Sequence, residues 1–166
     1  MNGHEISVSL ASESAASRSP RARPWLLLAA LLIGLTAVIT IWLSIDRRPA
    51  EWDHANHLKR AVDCYRTLSE PGHDRLKEIL ETSSFYPPIA PCAAGVLYFV
   101  FPIVPLTAQA VMLAFLALGL AATFALGRQL LGEPAGLRAA FFVGTAPFVV
   151  FSLTNFQLDL PLMAVV

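Results

Sequence analysis

The stretch Pro49-Ala50-Glu51-Trp52-Asp53-His54-Ala55-Asn56-His57-Leu58 sets Asp53 and His57 four residues apart, on one face of any helix that forms there. A carboxylate so placed could take the proton of a hydroxyl nucleophile as general base, or help to hold a divalent cation. The plainer reading is that Asp53 only caps the helix and His57 is a solvated surface residue. A second candidate is Asp159, in Phe156-Gln157-Leu158-Asp159-Leu160-Pro161-Leu162, where it is the only acidic residue after Glu133. Apolar segments flank it on both sides, and a carboxylate there is costly unless it reaches water or a partner, which makes function its default reading. Capping the following helix, with Pro161 in the first turn, is compatible with that role. Phe85-Tyr86-Pro87-Pro88 would present an aromatic pair at a membrane interface ahead of stiff backbone, or would simply mark an aromatic belt and a helix start.

Other chemistries find little support. Asp53, His54 and His57 lack the His-Glu-x-x-His or Cys-x-x-Cys spacing of a zinc site, so no metal ligand set is assigned. Cys64 and Cys92 could pair, but nothing in their spacing argues for it. Glycine-rich phosphate loops and the Gly-x-Ser-x-Gly elbow are absent from the sequence.

The scaffold that must position these residues is written in the composition. Of 166 residues, 55% are hydrophobic and 14% charged, against roughly 25% charged in soluble domains. Fifteen of the 24 charges fall between Asp46 and Glu81, whereas Thr82 to Gly127 has none. Such long uncharged stretches exclude intrinsic disorder and a simple soluble enzyme, and predict a membrane protein. Twelve Lys and Arg against twelve Asp and Glu leave no basic surplus for nucleic acid, so none is expected as a partner.

The expected fold is all-α, with several transmembrane helices and an extracytoplasmic loop of short interfacial helices. Residues 1–24, rich in Ser, Ala and Pro, read as a disordered cytoplasmic tail. Trp25 to Ile45, about 31 Å as a helix, is long enough to span; Arg18, Arg21 and Arg23 before it place the N-terminus in the cytoplasm. The run is longer than a signal-peptide core and lacks an Ala-x-Ala cleavage site, so it reads as a retained anchor. Residues 46–88 form the outer loop, with helices expected over Asp53 to Ser69 and roughly Asp74 to Thr82, their apolar stripes down on the membrane.

Ile89 to Phe101, bounded by prolines, is too short to cross and predicts a half-inserted or re-entrant helix over 89–105. Further spans are expected over about 106–126 and 139–154, the latter kinked or thinned near Pro147. Arg128 and Arg138, around the turn Gly132-Glu133-Pro134-Ala135-Gly136, then face the cytoplasm, as positive residues should, and Asp159 emerges on the side of the 46–88 loop. Residues 160–166 read as the start of another span, so the sequence looks like the front portion of a longer polypeptide.

Taken in order, Trp52-Asp53 with His57, Tyr86-Pro87-Pro88, the turn Gly127-Arg128 and Asp159-Leu160-Pro161-Leu162 resemble the N-terminal part of the GT-C superfamily of membrane glycosyltransferases. The nearest branch is the protein-mannosyltransferase and aminoarabinose-transferase group, glycosyltransferase family 39. The resemblance covers about residues 25 to 166. It implies transfer of a hexose or pentose from a polyprenyl-phosphate donor to an acceptor hydroxyl, with inversion, at the outer face of the cell's inner membrane. Asp53 would be the general base, Asp159 would bind acceptor, donor or a divalent cation, and His57 and Tyr86 would line the substrate site. Two departures stand out: the family's Asp-Glu pair reads Asp53-His54 here, and the later helices that build much of the donor site are absent, so these residues alone would not turn over. Two other readings remain: a non-enzymatic polytopic module that binds a partner through its outer loop, and a transporter fragment coupled through Asp159.

Overall fold

The computed structural model describes residues 23–165 except 47, 51, 71, 73 and 83–86. The tail expected over 1–24 therefore falls outside the described residues as far as residue 22, as do Tyr86 and Val166; Arg23 and Pro24 are already helical. Among the described residues every element is a helix: α1 (Arg23–Ile45), α2 (Trp52–Ser69), α3 (Arg75–Thr82), α4 (Ile89–Leu97), α5 (Pro105–Leu131), α6 (Glu133–Gly144), α7 (Pro147–Thr154) and α8 (Asp159–Val165).

Leu, Ala and Ile dominate α1 and α5, and at 23 and 27 residues both are long and apolar enough to cross a membrane. Their hydroxyls would be costly in lipid, and each of those that follow is satisfied within its own helix. Thr36 Oγ1 donates to the Leu32 carbonyl at 2.7 Å, and Thr123 Oγ1 to that of Gly119 at 2.8 Å. Much of α1 keeps its apolar side chains outward: Leu26, Ile33, Val38 and Ile41 are all more than half exposed. An outward greasy surface of this kind suits hydrocarbon rather than water.

The pair α6 and α7 is apolar enough to make one further span, bent by 52° at the break before Pro147. Proline at the start of α7 can donate no hydrogen bond back into the preceding turn, which accounts for a bend at this place.

The bundle core joins α1, α5, α7 and α8 through Ile39, Met112, Leu116, Phe124, Leu153 and Leu160. Trp25 at the start of α1 meets Phe124 near the end of α5 edge-on at 5.2 Å, so the two helices run antiparallel. Glycines allow the next layer to close. A Cβ on Gly136 of α6 would stand 2.6 Å from the Phe124 carbonyl oxygen, and one on Gly127 of α5 would stand 2.8 Å from the Gly136 Cα.

Two local expectations are corrected. The Gly-Arg turn implied by the resemblance is not found at Gly127-Arg128, which lies inside α5 as it continues to Leu131; the chain reverses at Gly132, where the turn over 132–136 is expected, and its φ of +88° suits glycine. The apolar stripe of α2 does not lie on the membrane. Leu58, Val62 and Tyr65 pack into the core, with α4 crossing α2 so closely that a Cβ on Gly95 would come 2.9 Å from the Ala61 carbonyl oxygen.

Candidate functional site

The buried face of α2 runs His54, His57, Ala61, Cys64, a helical spacing of three, four and three. The helix thus buries two histidines in its first turns, where a sequence reader expects solvated side chains. His57 is 2% exposed, and its Nε2 lies 3.4 Å from Asp53 Oδ1, whose side chain remains 45% exposed. Asp53 stands inside the first turn of α2. The pair therefore joins a wet carboxylate to a dry imidazole.

Asp159, far along the chain, opens α8 and is exposed, and its charge is the smallest of the influences on the same imidazole. Burial is the strongest influence on His57 and pushes its pKa below the ordinary 6.5; Asp53 pulls it back up, Arg60 pushes it down, and Asp159 pulls it up. The net effect favours the neutral ring. Of the four residues singled out from sequence, Asp53 and His57 are brought into contact, Asp159 acts on His57 only through its charge, and Tyr86 lies outside the described residues.

The turn that delivers Asp159 is strained. Phe156, three residues earlier, has φ +42° and is fully buried. A bulky residue in the left-handed region costs on the order of 1–3 kcal/mol, and burial of its ring holds it there.

Beside this cluster a cleft of about 570 Å³ opens between the end of α1, the start of α5 and the end of α7, with His54 on its wall. One part of the lining is polar: Ser44, Asp46, Arg48, His54, Thr154 and Asn155. The other part is apolar: Leu43, Val104, Pro105 and Leu106. Asp46 and Arg48 grip each other with two side-chain hydrogen bonds of 2.9 and 2.8 Å, which hold the Asp46 carboxyl at about 2. His54 links the two features, because it lines the cleft and shares the buried face of α2 with His57.

Sequence reasoning missed three things here. The covalent bridge Cys64–Cys92, with Cα atoms 5.3 Å apart, ties α2 to α4. The cleft residues Arg48, Thr154 and Asn155 carried no motif. His54 was weighed only as a zinc ligand, although its spacing with His57, Ala61 and Cys64 marks a buried stripe. Among the described residues no group of three or more His, Cys, Asp or Glu side chains could hold a metal ion.

Comparison of the chain with protein-family models, curated proteins and solved structures finds no match.

Proposed function

We propose that this protein is an integral membrane glycosyltransferase of the GT-C type, transferring a hexose or pentose from a polyprenyl-phosphate donor to an acceptor hydroxyl at the extracytoplasmic face. The observation that carries the reading is the pairing of Asp53, open to water, with the buried imidazole of His57, on which the charge of Asp159 also acts.

Asp53 is the general base. Its side chain is 45% exposed beside the buried imidazole, so an acceptor hydroxyl can approach it. As the acceptor oxygen attacks the anomeric carbon, its proton passes to the carboxylate, the bond from sugar to phosphate breaks, and the polyprenyl phosphate leaves with that electron pair. His57, kept neutral by burial, fixes the carboxylate in place without cancelling its charge. Asp159, exposed at the start of α8, binds a sugar or acceptor hydroxyl. The cleft suits the donor's chemistry, with apolar residues for the polyprenyl chain and Arg48, His54 and Asn155 for the phosphate end.

The orientation has a physical support. A bond between Cys64 and Cys92 persists in an oxidising compartment, which favours an extracytoplasmic position for α2 and α4 and a cytoplasmic N-terminus in the inner membrane. The test is sugar transfer in membranes carrying the protein in the form the cell makes. Labelled hexose and pentose donors on polyprenyl phosphate are supplied, and one of them is expected to transfer its sugar only when the protein is present. Failure of every such donor overturns the reading.

A further inference from the structure

We propose that residues 96–104, at the end of α4 and in the turn after it, form a wedge that sinks into the hydrocarbon of a single leaflet and returns to the side it entered from. This rests on the membrane placement in the reading above and not on its chemistry.

Length comes first. With 9 residues α4 is about 13 Å long, close to half of a bilayer core of roughly 30 Å. Its inner face is anchored: Ala90, Ala94 and Gly95 are buried, and Cys92 is bonded to α2. The opposite face and the turn are bare. Val96, Phe99, Val100, Phe101 and Ile103 are 55%, 53%, 78%, 55% and 50% exposed, in a stretch from Thr82 to Gly127 without a charge.

The continuity of this bare surface with that of α5, long and apolar enough to cross a membrane, points to lipid as the occupant, and the backbone is compatible with it. Irregular chain at membrane depth must satisfy its own polar groups, because hydrocarbon offers no partners. In this turn Tyr98, Phe99, Val100 and Phe101 donate back to the carbonyls of Ala94, Val96, Leu97 and Leu97, and Val104 donates to Pro102. Pro102 and Pro105 have no N–H, and Thr107 Oγ1 donates to the Pro102 carbonyl at 2.7 Å. Of the N–H groups from Tyr98 to Val104 only that of Ile103 has no backbone partner among the described residues. The bare surface also runs directly into the outward apolar face of α5 at Leu106, so one hydrocarbon phase covers both. At the base of the wedge Tyr65 stacks edge-on with Phe99 at 4.9 Å and with the buried Tyr98 at 6.3 Å, which fixes the turn against α2.

The experiment places a nitroxide at position 100 by Val100→Cys, in the full chain reconstituted into phosphatidylcholine and phosphatidylglycerol vesicles. Both native cysteines are bonded to each other, so the label goes to the new thiol. Collision with oxygen is compared with collision with a water-soluble nickel chelate, and Lys59→Cys on the polar face of α2 serves as the wet reference. Oxygen is expected to dominate at position 100 at a depth of one leaflet or less, and the chelate at position 59. Ile103→Cys gives the same reading should the first variant fail to fold. Dominance of the chelate, protection from both reagents (a second copy or a partner covers the turn), or a depth beyond the midplane each overturns the wedge. Sugar transfer is not read in this experiment, so loss of the transferase reading leaves the result intact.

Discussion

His57 Nε2 and Asp53 Oδ1 sit 3.4 Å apart across one turn of α2, with the imidazole almost fully buried and the carboxylate half in water. Asp53 holds the His57 pKa up against burial, and Asp159 adds to that pull. Replacing Asp53 by Asn removes the larger of these two pulls, so the His57 pKa is expected to fall further below 6.5. Asp159→Asn is expected to lower it by a smaller step. Titration of the imidazole proton resonances in detergent-solubilised protein checks both, and an upward shift in either variant contradicts the cluster.

The same burial makes stability depend on pH with a definite sign. The folded-state pKa of His57 lies below the unfolded value, so in the interval beneath 6.5 the unfolded chain binds more protons. Stability therefore rises with pH through that interval and levels off above 6.5. Acid costs stability because the buried ring must take up charge. Melting temperature measured from pH 5 to 8 is expected to show this slope, and His57→Gln is expected to flatten it. A slope that persists in the variant belongs to another group.

The Cys64–Cys92 bridge closes a loop over a sequence separation of 28, worth about 3–4 kcal/mol by constraint of the unfolded chain. It also secures α4 on α2, the helix that carries Asp53 and His57. Cys64→Ser with Cys92→Ser is expected to lower the melting temperature by several degrees. Adding reductant should do the same to the native protein and nothing to the double variant.

Close helix approach at glycine gives a further check. Gly136→Ala would push a methyl group against the Phe124 carbonyl at 2.6 Å, and Gly95→Ala would push one against that of Ala61 at 2.9 Å. Overpacking of this kind costs about 1–3 kcal/mol. Gly34, with nothing within 4 Å of a built Cβ, is the reference site where Ala is expected to be tolerated. Equal stability of all three variants would contradict the packing described for α2 with α4 and for α5 with α6.

The long apolar helices were legible because hydropathy over twenty residues is a sum that no single side chain overturns. Finer features were hidden where the deciding contact is tertiary. Gly127-Arg128 reads as a turn only through the family resemblance, yet here glycine lets α6 approach and α5 continues through it. The stripe of α2 reads as membrane-facing because its partner α4 is only 9 residues long and about twenty residues away in sequence. His57 reads as a surface residue because nothing local shows that α4 will pack on its face of α2. Cys64 and Cys92 show no motif spacing, because the Gly95 crossing brings them together.

The central claim is that Asp53 is the base of a sugar transfer, and the most direct measurement compares turnover of native protein and Asp53→Asn in membranes carrying equal amounts of each, with the same polyprenyl-phosphate donor. Loss of a general base is expected to lower turnover by about 10² to 10⁴ while donor binding is retained. Undiminished turnover in the variant would contradict the account.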